Sequence, residues 1–275
     1  MDLLQAGVLG AIQGATEFLP VSSSGHLVLG RAVLGVELGA GSVAFDVAVH
    51  LGTLLAVVVV YLGDLVRLVS GLFGAARRGL SGGGLAALWE DADSRLALLV
   101  LLGTVPAVIV GFSFKDLFEG LFARPTVAAG ALLVTAALLA GTTARRAPRE
   151  PGVVRPLDAL LIGLAQAVAI TPGISRSGST IAVALLLGVG REQAARFSFL
   201  LAVPAILGAA VLEVRHLESG LALAPLLAGA AVAAVVGFVS LKALIFLVHR
   251  GKIAWFAPYC AIVGLVALIL LGGGD

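Results

Sequence analysis

The chain has 275 residues, of which 60% are hydrophobic and 12% charged, and its formal net charge at pH 7 is +2. A mean hydropathy of +1.11 excludes an ordinary soluble domain and predicts several membrane spans. The pI near 9.0 does not indicate a nucleic-acid partner, because the arginines lie in short loops between apolar runs, where they act as topology signals. The one cysteine, Cys260, has no internal disulfide partner, and no Cys/His cluster suggests zinc.

The first two apolar segments are too short to cross a bilayer. Leu3–Leu19 stops at Pro20, and Ser24–Val36 would be about 20 Å long as a helix. The pair predicts a re-entrant helix–turn–helix hairpin, since irregular backbone at membrane depth is tolerated only inside protein or beside water. No cleaved signal peptide is expected, because the first residues carry no basic region and Glu17 interrupts the apolar stretch.

The rest of the chain predicts six spans, a linker and a second hairpin. The spans are expected at about 43–73, 96–114, 126–144, 192–214, 225–248 and 254–272. Between the third and fourth spans lie a linker at 145–156 and a hairpin formed by Leu157–Thr171 and Ser175–Val189. The sequence therefore predicts an all-α polytopic membrane protein that forms a single domain over residues 1–275.

The chain also repeats itself at an offset of 153 residues. Residues 4, 6, 10, 13, 22, 24, 25, 34, 35 and 36 are identical to those 153 positions later. Each copy, at about 1–144 and 157–275, is a hairpin followed by three spans. Three is odd, so the second copy enters the membrane from the opposite side. The repeat is therefore inverted, and its binding site is expected where the broken helices meet near the midplane.

The basic residues support this topology. Twelve are expected on one side, namely Arg67, Arg77, Arg78, Arg95, Arg145, Arg146, Arg149, Arg155, Arg191, Arg196, Arg250 and Lys252. Only four fall on the other side, namely Arg31, Lys115, Arg124 and Arg215. The positive-inside rule makes the first side cytoplasmic, so both termini and the mouth of the first hairpin are expected to face the outside or periplasm.

Ionisable residues beside the hairpin turns are candidates for a working site, because such groups are costly at membrane depth. Gln13 and Glu17 are four residues apart and share one helix face. The Glu17 carboxylate could bind a metal ion, orient a base or pair with Arg176, or it could form a purely structural hydrogen bond. A functional role for Glu17 is favoured because serines, a histidine and an arginine lie in the two equivalent turns.

Each hairpin turn holds serines that open a short helix. Ser22, Ser23 and Ser24 precede Gly25 in the first turn, and Ser175 and Ser177 precede Gly178 in the second. Serine is a good N-cap, and capping alone accounts for Ser22. A helix N-terminus is also a natural seat for phosphate, and Arg176 adds a planar cation suited to phosphate oxygens. Two facing turns would surround an anion.

The histidines and the remaining acidic groups allow several interpretations. A lone histidine on an apolar helix is usually a packing residue, but His26 lies beside Ser23 and Glu17. It could act as general base and acid or attack phosphorus itself, and its position alone does not separate these roles. Asp46 is expected at the outer rim, and His50 is expected to be structural. Asp158 is expected to cap the second hairpin.

Two long motifs resemble a known family. QGATEFLPVSSSGHL (Gln13–Leu27) and PGISRSGST (Pro172–Thr180) are similar to the two signatures of the bacterial undecaprenyl-diphosphate phosphatases of the bacitracin-resistance type. The segments that follow each hairpin, FDVAVHLGTLLAV and FSFLLAVPAILGA, are also similar. The resemblance runs over essentially the whole chain, in the same order of hairpins and spans.

The resemblance implies hydrolysis of undecaprenyl diphosphate to undecaprenyl phosphate and inorganic phosphate in the bacterial plasma membrane. This recycles the lipid carrier of cell-wall synthesis and confers bacitracin resistance. Magnesium or calcium supports activity in the family. The partners implied are the polyprenyl diphosphate and membrane lipids, and a homodimer is a further expectation.

The family's site residues fall on matching positions of this chain. The acidic motif falls on Gln13 and Glu17; many relatives have glutamate where this chain has Gln13, so a rigid two-carboxylate metal site is in doubt and Glu17 is the candidate metal ligand. The catalytic set is Glu17, Ser23, His26 and Arg176. The substrate-binding set is Gln13, Ser22, Ser24, Gly25, Ser175, Ser177, Gly178 and Thr180.

Three rival functions fit parts of this pattern. Inverted repeats with broken helices are also a transporter plan, so the chain could carry a polyprenyl phosphate without cleaving it. A phosphatidic-acid-type lipid phosphatase would have a second histidine about six residues after its Ser-Arg pair, but position 182 is Ala182. A non-enzymatic scaffold gives no reason to bury an arginine, a glutamate and a histidine.

Overall fold

A computed structural model describes residues 1–36, 40–83, 86–144, 147, 149, 153–214 and 222–271. The described residues are helical apart from short turns and connecting segments. Half of the predicted linker and three of the arginines that were assigned to a side of the membrane, Arg145, Arg146 and Arg215, lie outside the described residues.

Twelve α-helices are described. Those of the first repeat are α1 Leu3–Phe18, α2 Ser23–Leu34, α3 Ala40–Arg78, α4 Ala87–Glu90, α5 Ala92–Ser113, α6 Lys115–Phe122 and α7 Pro125–Gly141. Those of the second are α8 Pro156–Val168, α9 Arg176–Leu186, α10 Arg191–Val214, α11 Leu223–His249 and α12 Phe256–Leu271. A π-helical turn, Gly79–Gly83, and two 3₁₀ turns, Thr142–Ala144 and Ile253–Trp255, extend three of the long helices.

The six predicted spans are confirmed, because six helical segments among the described residues are long and apolar enough to cross a membrane. These are Val43–Ser81, Ala92–Ser113, Pro125–Ala144, Arg191–Leu212, Leu223–His249 and Ile253–Leu271. The chain is a multi-pass, all-α membrane protein. The first span departs from regular helix at Tyr61, with φ −108° and ψ 19°, a kink that no proline marks in the sequence.

The first hairpin is set by local sequence signals. Asp2 and Gln5 form a capping box at the start of α1, with the Gln5 N–H donating to the Asp2 carboxylate over 2.7 Å. The helix ends before Pro20, since the residue before a proline is driven into extended backbone; Leu19 has φ −59° and ψ 143°. Gly35 ends α2 in the left-handed conformation.

The two repeats interlock rather than stand side by side. In repeat 1, α1 packs along α11 of repeat 2, and a Cβ at Gly10 would overlap the Gly229 carbonyl. In repeat 2, α8 packs along α5 of repeat 1, and a Cβ at Gly163 would overlap the Gly103 carbonyl. Each hairpin thus lies against the second span of the other repeat, so the two copies pack in equivalent ways.

The tips of the two hairpins contact each other directly. The Gly173 N–H donates to the Ser22 hydroxyl over 3.1 Å, and the Ser177 hydroxyl donates to the Leu19 carbonyl over 3.3 Å. Gly173 has φ +95° and its Cα faces the Ala128 carbonyl, so the turn can close only with glycine at this position. The predicted meeting of the broken helices is therefore present.

The third spans hold these tips in place. From α7, the Thr135 hydroxyl donates to the Gly173 carbonyl over 2.8 Å. From α12, the Cys260 thiol donates to the Pro20 carbonyl over 3.6 Å. The two helices also pack on each other, and a Cβ at Gly264 would lie 2.8 Å from the Ala129 carbonyl oxygen. The turns therefore rest on a pair of rigid helices.

Candidate active site

The centre of the site is the buried carboxylate of Glu17. Its Oε1 accepts a hydrogen bond from Arg176 Nη2 at 2.5 Å, across the two hairpins. Its Oε2 accepts from Ser23 Oγ at 2.5 Å and from Gln13 Nε2 at 2.9 Å. Glu17 is 6% exposed, so its charge depends on these donors rather than on water. Of the roles considered for Glu17, the pairing with Arg176 is the one that the structure shows.

Ser23 is the serine that the carboxylate contacts. It is the first residue of α2 and half-buried, and its hydroxyl donates to a carboxylate that Gln13 and Arg176 hold in place. A hydroxyl bonded to a base that is itself oriented by other groups is the arrangement of an activated nucleophile. The Gln13 amide oxygen is buried without a partner among the described residues, which leaves one acceptor at this centre.

Ser22 and its neighbours shape the first turn. The Ser22 hydroxyl accepts from the N–H groups of Gly25 at 3.3 Å and Gly173 at 3.1 Å, and it also contacts the Ser24 hydroxyl at 3.3 Å. Its backbone has φ +68°, which is uncommon for a residue other than glycine. Gly25 is needed because a Cβ there would lie 2.9 Å from Gly173 Cα. Ser22 therefore caps and joins the turns.

The second turn is satisfied in a similar way. Ser175 caps α9 by accepting from the Gly178 N–H at 3.0 Å, and its N–H donates to Thr135 at 3.0 Å. Thr180 donates to the Arg176 carbonyl at 2.8 Å and contacts Ser198 at 2.5 Å. These hydroxyls already make hydrogen bonds within the protein. Direct contacts of Ser175, Ser177 and Thr180 with substrate stay predictions, and each would replace one of these bonds by a bond to substrate.

His26 makes a different contact from the one expected. Its Nδ1 lies 2.8 Å from the Ser22 carbonyl oxygen, and its Nε2 lies 2.9 Å from the Tyr259 hydroxyl. Neither ring nitrogen bonds to Ser23, whose hydroxyl is taken by Glu17. Tyr259 was not found from the sequence, because it lies 233 residues from His26 and no motif surrounds it.

His50, expected from the sequence to be structural, lies beside the Glu17 carboxylate. Its Nε2 lies 3.8 Å from Glu17 Oε2, and its Nδ1 donates to the Asp46 carbonyl at 2.7 Å. Asp46 itself turns away and pairs with Arg31. The four-residue spacing placed Asp46 and His50 on one face but did not indicate which of the two reaches Glu17. Asp158 caps α8 as expected, accepting from the Arg155 N–H at 2.7 Å.

The site is single despite the repeat. At the offset of 153 residues, the counterpart of Glu17 is Ile170, and the counterpart of Ser23 is Arg176 itself. Gln166, the counterpart of Gln13, is 3% exposed and its amide atoms have no partner among the described residues. One hairpin therefore supplies the carboxylate and hydroxyl, and the other supplies the cation.

The described residues fit a protein-held metal ion poorly. No group of three or more His, Cys, Asp and Glu side chains that could hold an ion occurs among them. Glu17 is the single carboxylate at the centre, and its oxygens already accept from Arg176, Ser23 and Gln13. Divalent magnesium and calcium prefer several oxygen ligands, commonly carboxylates.

Together, the six spans and the two hairpins define a polytopic, all-α membrane protein in which a buried carboxylate, a hydroxyl and a guanidinium meet. The chain belongs to the family described as Bacitracin resistance protein BacA, whose model matches residues 6–266.

Proteins named undecaprenyl-diphosphatase are similar to this chain over almost their whole length. The one from Desulfatibacillum aliphaticivorans is 43% identical over 279 residues, covering 98% of this chain and 99% of the relative. The one from Rubrobacter xylanophilus is 43% identical, with coverage of 98% and 99%. The one from Korarchaeum cryptofilum is 40% identical, with coverage of 98% and 100%.

Proposed function

We propose that this protein hydrolyses undecaprenyl diphosphate to undecaprenyl phosphate and inorganic phosphate, and so recycles the lipid carrier of cell-wall synthesis. The observation that carries the proposal is the contact of Glu17 with Ser23 and Arg176, which joins a base, a hydroxyl and a phosphate-binding cation across the two turns. Membership of the BacA family and the names of its relatives support the same activity.

The diphosphate would bind between the turns, with the prenyl tail passing between helices into lipid. The bond to Glu17 uses Nη2 of Arg176, which leaves the rest of the guanidinium for phosphate oxygens. The N-termini of α2 and α9 add backbone N–H groups and positive dipole ends. These groups would stabilise the charge that spreads over the equatorial oxygens in the transition state.

Ser23 is the proposed nucleophile. Its Oγ would form a bond to the terminal phosphorus while its proton passes to Glu17, and the bond from phosphorus to the bridging oxygen would break to release undecaprenyl phosphate. Water would then attack the phosphoserine, giving its proton to His26, and Glu17 would return its proton to Ser23 Oγ as the Oγ–P bond breaks and inorganic phosphate leaves. His26 would then release its proton to the solvent. The alternative is direct attack by water, with Ser23 as an orienting group.

A magnesium or calcium ion stays a proposal from the family resemblance. When bound, it would neutralise charge on the phosphate oxygens. Because Glu17 is already engaged and Gln13 replaces a second carboxylate, we propose that any such ion is held chiefly by the diphosphate, and no step above depends on it.

The site and both termini are proposed to face the outside of the bacterial plasma membrane. This orientation rests on the arginine distribution and on the odd number of spans in each repeat. A homodimer is retained as a proposal, to be checked by light scattering of the purified protein in detergent. Two small residues of α11, Gly229 and Gly237, lie against Phe45 and Phe18 of the same chain.

Phosphate release by purified protein in detergent tests the function. Wild-type protein should release phosphate from undecaprenyl diphosphate, and Arg176→Ala should be folded with activity reduced at least about a hundredfold, the usual effect of removing an electrostatic group from a transition state. Arg67→Ala is the matched control, since Arg67 is exposed and pairs with Asp64 away from the site.

Two results would overturn the assignment. A pure carrier of polyprenyl phosphate, the rival function, would give no phosphate from wild-type protein. Near-normal phosphate release by Arg176→Ala would mean that the phosphate site lies elsewhere.

A further inference from the structure

Tyr259 is a second-repeat residue that reaches into the first-repeat half of the site. It lies near the start of α12 and is 45% exposed. The neighbouring Cys260 is fully buried, with its thiol on the Pro20 carbonyl, so α12 is held against the tip of the first hairpin. The position of the Tyr259 side chain relative to the first hairpin is therefore fixed by the packing of α12.

The contact between Tyr259 and His26 has two parts. The phenol oxygen lies 2.9 Å from His26 Nε2, and the two rings are almost parallel, with an interplanar angle of 7° and centroids 5.7 Å apart. The Ser22 carbonyl, 2.8 Å from Nδ1, can only accept a hydrogen bond, so Nδ1 carries a proton. In neutral His26 the Nε2 atom is then the acceptor, and the Tyr259 hydroxyl is its donor.

A phenol can serve both charge states of the imidazole. When His26 takes up a proton, Nε2–H becomes a donor, and the Tyr259 oxygen can accept from it after rotation of its O–H bond. A phenylalanine at position 259 would keep the ring stacking but would leave Nε2 of the half-buried His26 without the hydrogen bond from the hydroxyl. A chemical role for the hydroxyl is thus separable from packing.

We propose that Tyr259 links His26 to the attacking water: its hydroxyl donates to Nε2 of the Nδ1–H tautomer, passes that proton to Nε2 as it takes one from the water, and afterwards accepts a hydrogen bond from Nε2–H. The inference rests on the proposed function, in which His26 accepts a proton from the attacking water. It adds a group from α12 to a site that otherwise comes from the two hairpins and α3.

The reactivity of His26 tests the contact without relying on catalysis. Diethyl pyrocarbonate acylates an unprotonated ring nitrogen, so a hydrogen bond that occupies Nε2 should slow modification of His26. In Tyr259→Phe, mass spectrometry should show His26 modified about two- to tenfold faster, the factor expected from one ordinary hydrogen bond. Modification of His249, an exposed residue at the end of α11, should not change and reports on the folded state.

Tyr61→Phe is the matched control, since Tyr61 is the other tyrosine of the chain and lies 5.9 Å from Phe199 in the core. It should leave the His26 rate as in wild type. Equal His26 rates in wild-type protein and Tyr259→Phe would overturn the inference.

Kinetics separate an effect of Tyr259 on His26 from an effect of Tyr259 on substrate binding. Tyr259→Phe should lower kcat about two- to tenfold with KM unchanged, because the hydroxyl is proposed to contact His26 and not the lipid. A raised KM with unchanged kcat would overturn the inference and make Tyr259 a substrate-binding group. If wild-type protein released no phosphate, the proposed function would fail, while the His26 rates would still decide whether the hydroxyl orients the imidazole.

Discussion

Glu17 and Arg176 form an ion pair whose side chains are 4% and 16% exposed. Such a pair contributes little net stability, because both charges lose their hydration on burial. Removing one partner is destabilising, because the other charge is then buried without a counter-charge. Stability and catalysis therefore depend on this pair in different ways.

A double-mutant cycle should separate the two roles. Arg176→Ala should lower the free energy of unfolding by about 3–5 kcal/mol, because it leaves the Glu17 charge buried and unpaired. Adding Glu17→Gln should restore most of that stability, since the amide needs no counter-charge, yet phosphate release should stay low. Unfolding in detergent measures the first effect and phosphate release the second. A double variant as unstable as Arg176→Ala would contradict this interpretation.

Ser23 and Ser24 are adjacent serines with different partners, which makes them a natural comparison. The Ser23 hydroxyl donates to Glu17, whereas the Ser24 hydroxyl contacts only that of Ser22 among the described residues. Ser23→Ala should lower kcat at least about a hundredfold, as expected for the loss of a nucleophile, and Ser24→Ala should lower it far less.

Acid quenching of a reaction with substrate labelled in its terminal phosphate should trap label on Ser23. Loss of activity in Ser23→Ala without any trapped label in wild-type protein would favour direct attack by water over the phosphoserine route.

At the scale of elements, close glycine contacts join each hairpin to the other repeat. The backbones of α1 and α11 touch at Gly10 and Gly229, and those of α8 and α5 touch at Gly163 and Gly103. In a membrane, such close packing replaces the hydrophobic effect as the force between helices.

Alanine at these glycines should therefore be costly. Gly10→Ala and Gly163→Ala should each lower the free energy of unfolding by about 1–3 kcal/mol, since the new Cβ would overlap a carbonyl of the partner helix. Gly7→Ala is the control: it lies on the same helix with nothing within 4 Å of the added carbon, and should be neutral or stabilising. If all three alanine variants lost a similar free energy of unfolding, the close contacts at Gly10 and Gly163 would not be the cause of the loss.

Element lengths and proline positions predicted most of the fold. Apolar runs of known length gave the six spans, and the prolines at 20 and 156 marked where short helices stop or start. The kink at Tyr61 was not predicted, because neither proline nor glycine occupies that position.

The site was predictable only where its residues are local. Gln13, Glu17 and Ser23 are within ten residues of one another, and the internal repeat pointed to Arg176 as their partner. His50 and Tyr259 lie outside the two turns, and only the packing of α3 and α12 brings them to the first hairpin. Long-range packing of this kind leaves no periodic signal in a single sequence.

At the scale of the whole molecule, the orientation can be read by labelling single cysteines. Wild-type protein should not react with a membrane-impermeant maleimide, because Cys260 is fully buried. On intact spheroplasts, Asp2→Cys should be labelled, since the N-terminus is predicted to face outward, and Glu90→Cys should be labelled only after permeabilisation. The reverse pattern would invert the proposed topology.

Cation binding should depend on the substrate. Calorimetry should detect no saturable binding of Mg²⁺ to the protein alone, because Glu17 is the single carboxylate at the centre and is already paired. Binding should appear once a non-hydrolysable diphosphate analogue is present. Tight Mg²⁺ binding without the analogue, abolished by Glu17→Gln, would instead establish a protein-held site.

The packing of each hairpin on the other repeat also constrains the order in which the helix pairs can form during synthesis. The partner of α1 is α11, which the ribosome makes about two hundred residues later, whereas α8 meets its partner α5 already in place. During synthesis α1 therefore lacks this partner until α11 has been made. The Glu17 carboxylate and the Arg176 guanidinium can meet only after the second hairpin has been made, so a chain that stops before α9 lacks the centre of the site.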